Sequence, residues 1–278
     1  MKKRILTALV MAPLAFLVVG WSPPWLFLLV LLAFVERGLH EYFLISRQAG
    51  FKTIPVVGYA AAGTLCLAQA AELHWPESRG IAVLAVLVLS VILTLTVALW
   101  RPSDPKQYLS ATASTIFGII YIGFMLSWLV PLRFADSGEG RQLTLLMLLV
   151  VCFSDIFAYF VGRAVGRTPL IPRISPKKTV EGSLAGFAGS LMVGWGFAHW
   201  FWQTAPVKRV ILLSVVVAVA GQLGDLVESA LKRAGEVKDS GTLLPGHGGV
   251  LDRIDSLIFA APAMWAAVAL AAMLKWPA

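Results

Sequence analysis

Charge is what this chain has least of. Only 14% of its 278 residues are Asp, Glu, Lys or Arg, against about 25% in an average soluble domain. Cysteine is almost absent too. Cys66 and Cys152 lie far apart inside apolar runs, which excludes a disulfide framework and a cysteine zinc site. No GxxxxGK[ST] loop, GxGxxG after a strand, HExxH or GxSxG occurs, so any nucleotide is held without a soluble nucleotide-binding fold. There is no internal repeat, no low-complexity tract and no polar stretch long enough for a separate soluble domain.

What is there instead is apolar. Hydrophobic residues make up 58% of the chain, gathered in runs of roughly 17–25 residues, enough to cross a ~30 Å hydrocarbon core as a helix. Most runs lack the polar face of a soluble amphipathic helix. The pattern predicts an all-α, polytopic integral membrane protein with about nine transmembrane helices and short loops. The spans fall near residues 5–20, 25–45, 53–71, 80–100, 109–132, 142–162, 183–203, 209–231 and 256–274. The basic start MKKR followed by an apolar stretch is read as the first span, since WSPPW follows it rather than a small-x-small cleavage site. A single membrane-embedded domain over residues 1–278 is expected.

The net charge of +8 is assigned to loops facing anionic lipid, not to nucleic acid. With the N-terminus inside, sixteen of the 23 basic residues fall in cytoplasmic segments. The other side holds Arg79, Arg133, Arg141, Lys208, Arg209 and Lys275, and Arg37 lies within a span. This bias predicts an inner N-terminus and an outer C-terminus. The two longest loops, about 163–182 and 232–255, are then both cytoplasmic, and the active-site segments are expected at about 154–186 and 221–256.

The second of these reads GQLGDLVESALKRAGEVKDSGTLLPGHGGVLDRIDS. Gly221, Gly224, Asp225, Glu228, Ser229 and Lys232 recur at three- and four-residue spacing, hence on one helical face. Carboxylates near hydrocarbon are costly, so they suggest function; pairing of Glu228 with Lys232 one turn on is the plainer alternative. Pro245, Gly246, Gly248 and Gly249 break the helix and let backbone N–H groups approach an anion. Asp252 and Asp255, three apart at the start of the last span, suit magnesium, which takes oxygen ligands and shares them with phosphates. N-capping explains one of them equally well. His247 could ligate metal, donate to phosphate or brace the loop, and its role stays open.

The segment SDIFAYFVGRAVGRTPLIPRISPKKTVEGSLAG adds Asp155, Arg163, Arg167, Arg173, Lys177 and Lys178. These groups suit either substrate phosphate or anionic lipid. A turn is expected just before the seventh span. In the second span Glu36 and His40, and Arg37 and Glu41, are four apart, and pairing within the helix is the preferred reading there.

The stretch Ser229-Ala-Leu-Lys232-Arg233, Lys238-Asp239, Leu244-Pro245-Gly246-His247-Gly248-Gly249 and Leu251-Asp252-Arg253-Ile254-Asp255 resembles the signature of the phosphatidate cytidylyltransferases. AYFVGRAVGR…ISPKKTVEGSLAG resembles that family's second landmark. The resemblance covers most of the chain and is weakest over residues 50–150. It implies that CTP and phosphatidate give CDP-diacylglycerol and pyrophosphate, with magnesium. It makes Asp225, Lys232, Arg233, Asp252 and Asp255 catalytic, with Asp225, Asp252 and Asp255 on the metal. Lys177, Lys178, Ser229, Lys238, His247, Gly248, Gly249 and Arg253 are then expected at substrate phosphates. Membrane lipids are the remaining partners, and a homodimer is left open. The main rival is a transporter or flippase of an anionic lipid or phosphorylated solute, which would predict inverted repeats. A CDP-alcohol phosphotransferase would need a closely spaced aspartate motif that is not evident.

Overall fold

The computed structural model describes residues 13–75, 77, 80–100, 105–134, 138–243 and 248–274. Helices dominate among them. A short helix α1 covers residues 13–21. It is followed by α2 (Pro24–Gln48), α3 (Pro55–Glu72), α4 (Ile81–Trp100) and α5 (Tyr108–Gly118). A π-helical turn, Ile119–Phe124, carries α5 into α6 (Met125–Ser127) and α7 (Leu129–Arg133). Then come α8 (Gly140–Val165), α9 (Val180–Trp200), α10 (Val207–Ala234) and α11 (Leu251–Met273). Among the described residues, five stretches are long and apolar enough to cross a bilayer: α4, Pro105–Arg133, α8, α10 and α11. The start of the expected first span lies outside the described residues.

The helix α4 shows how these elements meet their surroundings. Its twenty residues are almost wholly apolar, yet the buried positions are Val83, Ser90, Thr94 and Ala98. Leu84, Leu89, Ile92 and Leu99 are exposed. Polar groups face protein and large apolar ones face outward, the reverse of a soluble helix. Ser90 and Thr94 satisfy their hydroxyls on the carbonyls of Val86 (2.6 Å) and Ser90 (2.7 Å). Such a surface is stable against lipid, where every polar group needs an internal partner.

The chain forms two compact units. The first contains residues 1–134 and 231–254. In it α3 packs on α2, α4 and the π-helical turn. Ala61, Leu65, Ala68, Val83 and Ile119 form one buried cluster. The Tyr42 hydroxyl donates to the Ser114 carbonyl (2.9 Å), and the Ile54 N–H donates to Thr115 Oγ1 (2.8 Å).

The second unit contains residues 135–230 and 255–278. Its α8 and α9 pack extensively. A side chain at Gly186 would stand 2.7 Å from the Ser154 carbonyl, so the glycine permits this approach. Arg209 grips the Glu139 carboxylate through both terminal nitrogens (3.1 and 2.7 Å).

One element departs from the all-α expectation. Between α8 and α9 the chain forms an antiparallel hairpin of β1 (Pro169–Ile171) and β2 (Ser175–Thr179), pairing Pro169 with Thr179 and Ile171 with Ser175. Proline explains it. Thr168, Ile171 and Ser175 each precede a proline, and a residue before proline is driven to extended backbone. The turn expected before the seventh span is this hairpin's second strand, ending in Thr179, whose hydroxyl caps α9 by accepting from Gly182 N–H (3.2 Å).

Candidate active site

Two polar constellations arise, one in each unit. In the second unit the face of α10 predicted from the sequence presents Asp225 and Glu228, three residues apart. The first turns of α11 bring Asp255 beside them. Gly224 makes the approach possible, since a Cβ there would lie 2.5 Å from the Asp255 carbonyl oxygen. Asp225, Glu228 and Asp255 each offer an oxygen within 4.8 Å of the others. Ser229, one turn from Asp225, stands 3.5 Å from its Oδ1. Glu228 is wholly buried. Gln222, one turn before Asp225, reaches the Ser183 carbonyl at 3.1 Å.

Three carboxylates so close repel one another unless a cation lies among them. Lys178, from β2, supplies one such charge through an ion pair with Asp225. Their donor set is all oxygen. Ligands of an octahedral magnesium ion lie roughly 3–4.2 Å apart for bonds of about 2.1 Å. The three oxygens all lie within 4.8 Å of one another, a comparable scale. The residues therefore fit a hard divalent cation.

The hairpin that carries Lys178 is itself pinned. Glu181, at the start of α9 and ahead of the expected span, accepts from the N–H groups of Arg167 (3.1 Å) and Thr168 (3.2 Å). Backbone N–H bonds, its own first, hold its carboxyl down at about 2. Lys177 is exposed on the same strand. Arg163 donates to the Tyr159 hydroxyl (3.2 Å).

In the first unit the centre is Asp252. Its Oδ1 meets Lys232 Nζ at 2.6 Å. Its Oδ2 accepts from Ser240 N–H (2.9 Å), the Ser240 hydroxyl (2.9 Å) and Gly249 N–H (2.8 Å). Gly248 adopts a positive φ of 79°, and a Cβ on it would stand 2.5 Å from Asp252 Oδ2. Glycine is thus required there twice over, by backbone conformation and by space. Arg233, Lys238 and Arg253 are exposed. Arg233 donates to the Val237 carbonyl at 3.3 Å. His247 lies outside the described residues.

The structure thus joins Asp225, Asp255, Ser229 and Lys178 in one constellation. It joins Lys232, Asp252, Gly248 and Gly249 in another. Two residues carry more than the sequence reading allowed. Glu228, for which the sequence offers pairing with Lys232 as the plainer alternative, stands with Asp225 and Asp255. Glu41 was read as a partner for Arg37, and that pair exists at 3.2 Å. Glu41 is also fully buried and accepts from the Ser240 hydroxyl and Leu251 N–H, both at 2.8 Å. The available signal was its place as an acid within an apolar helix.

Apolar-out helices, an oxygen-rich acidic cluster and basic side chains beside it define a multi-pass helical membrane protein equipped for anionic, metal-assisted chemistry. Comparison with known proteins gives the particular family. The model of the cytidylyltransferase family matches residues 2–271, and the chain belongs to that family. Phosphatidate cytidylyltransferase of Bacillus subtilis (strain 168) is 34% identical over 97% of this chain and 98% of its own. The protein of the same name from Synechocystis sp. is 34% identical over 95% of this chain and 94% of its own. That of Staphylococcus haemolyticus is 32% identical over 94% and 96%.

Proposed function

We propose that this protein transfers the cytidylyl group of CTP to phosphatidate, giving CDP-diacylglycerol and pyrophosphate. The reading is carried by near end-to-end similarity to relatives named for that activity. A lipid phosphate oxygen attacks the α-phosphorus of CTP. A new P–O bond forms, the bond to the bridging oxygen breaks, and pyrophosphate leaves. The phosphate monoester, with a second pKa of about 6, is already a competent nucleophile near neutral pH and needs no strong base. The barrier is electrostatic and positional, because both reactants are anions.

Asp225, Glu228 and Asp255 would hold magnesium, which when bound neutralises phosphate charge. Lys178, the ion-pair partner of Asp225, is assigned to a substrate phosphate oxygen beside the metal site. Asp252 is assigned to catalysis and, from its three-residue spacing to Asp255 on α11, to the metal as well. Lys232 and Arg233 are assigned to the non-bridging oxygens. Lys177, Ser229, Lys238, His247, Gly248, Gly249 and Arg253 are assigned to the substrate phosphates. About nine spans are read from the apolar runs, and a cytoplasmic N-terminus and a cytoplasmic active site from the basic bias. This topology places the reaction where a bilayer lipid and a cytosolic nucleotide meet, in the inner membrane of a bacterium. The partners are CTP, phosphatidate and surrounding lipids.

The test is direct. Purified protein with CTP, phosphatidate and magnesium should form CDP-diacylglycerol and pyrophosphate in equal amounts. No product from a folded, monodisperse sample would refute the reading.

A further inference from the structure

We propose that Glu41 of α2 is a positioning residue for this reaction, holding the segment that presents Asp252. The inference rests on the proposed reaction and adds a residue from a helix outside both segments first marked as active. Glu41 sits fully buried in an apolar helix, a costly place for a carboxylate. A helix needing only a packed side chain would not keep an acid there. Its polar contacts account for the position. Arg37 Nε, one turn earlier, lies at 3.2 Å and offsets the charge. The Ser240 hydroxyl and the Leu251 N–H both converge on Oε2 at 2.8 Å. These two donors stand at the two ends of the segment leading into α11, so one carboxylate oxygen clamps both.

Space enforces the same arrangement. A Cβ on Gly249 would collide with the Glu41 carboxylate and with Ser240 Oγ. The backbone at Gly249 can therefore close on Glu41, and its N–H then points to Asp252. Ser240 is the link. Its single hydroxyl proton faces Glu41 Oε2 at 2.8 Å and Asp252 Oδ2 at 2.9 Å. Through Ser240 and Gly249, Glu41 sets where Asp252 points without touching substrate. An error of about 1 Å in such a group costs on the order of 100-fold in rate.

Glu41→Gln keeps the size and removes the charge and one acceptor. In full-length purified protein it should lower kcat about 10–100-fold, with KM for CTP and phosphatidate within about threefold of the parent. Glu41→Asp, which restores the charge, should recover part of kcat. Ser240→Ala, which cuts the link and leaves the Arg37 pair intact, should lower kcat in the same sense. Hydrogen exchange should quicken at the Ser240, Gly249 and Leu251 amides in Glu41→Gln and stay unchanged at the Arg167 and Thr168 amides. Parental kinetics in Glu41→Gln, or a general loss of protection in all three variants, would overturn the proposal. If the parent protein itself makes no CDP-diacylglycerol, the reaction reading fails, and exchange at the three amides alone then decides whether Glu41 holds the segment.

Discussion

Asp252 in the first unit and the Asp225–Glu228–Asp255 cluster in the second are both acidic sites at the polar end of apolar helices. Their surroundings differ in kind. Asp252 is ringed by donors: one lysine, two backbone N–H groups and a hydroxyl. The cluster gathers three carboxylates and takes Lys178 as an ion-pair partner. Asp252 thus has donors on both carboxylate oxygens, whereas the cluster sets acid beside acid with Lys178 paired to Asp225. The same residue type does two jobs, and the count of donors within hydrogen-bond reach separates them.

The sharpest test of that contrast is charge removal in the cluster. Asp255→Asn and Asp225→Asn should each lower turnover by about a thousandfold or more and raise the magnesium concentration for half-maximal rate. Both variants should insert and fold, because repulsion within the cluster is relieved. Magnesium titration of cytidylyl transfer checks this, and an unchanged magnesium dependence would remove the cluster from metal binding.

Asp252→Asn should differ in character. It loses a charged acceptor for Lys232 and for two N–H groups, so turnover should fall about a hundredfold and stability by about 1.5–3 kcal/mol. Near-parental turnover at low magnesium would place Asp252 outside the chemistry. A fall in activity without any loss of stability would break the contrast with the cluster.

Charge-conserving swaps probe the basic residues. Lys178→Arg and Arg233→Lys should each lower kcat/KM about tenfold if they meet phosphate at short range, where donor geometry matters. If they only attract anionic lipid, each contributes about 1 kcal/mol that any cation supplies and salt screens. Kinetics in mixed micelles, with anionic lipid varied separately, decide between the two. Arg233 is exposed and should show the smaller effect.

The smallest expected effect concerns the hairpin. The Glu181 carboxyl is depressed to about 2 from an ordinary 4.5 by backbone N–H bonds. Its contribution is thus fully present above pH 4.5 and is lost as pH falls from there through 2. Exchange at the Arg167 and Thr168 amides should quicken over that window and show no step near neutrality. Glu181→Gln should abolish the step.

Much of this is legible in the sequence. Apolar runs placed α4, α8, α10 and α11 because a bilayer demands about twenty apolar residues of a helix, and that demand is local. The α10 face with Asp225 and Ser229 follows from 3.6-residue periodicity, another local rule. The hairpin could have been suspected from Thr168, Ile171 and Ser175, each before a proline, but the apolar pattern around it masked the signal.

Three things waited for the tertiary structure. That Glu228 and Asp225 share their cluster with a third acid follows only when α11 arrives with Asp255. Lys178 meets Asp225 although 47 positions separate them, which only the tertiary fold brings about. Glu41 lies 199 residues from Ser240, and no periodicity or motif spans that interval. The sequence by itself determined the solvent each helix faces, the helical faces and the identities of the charged groups, because these depend on composition and short-range spacing. Which acid is clamped by donors and which gathers with its like was decided by the tertiary structure, because electrostatic pairing acts through space over a few ångströms and is indifferent to distance along the chain.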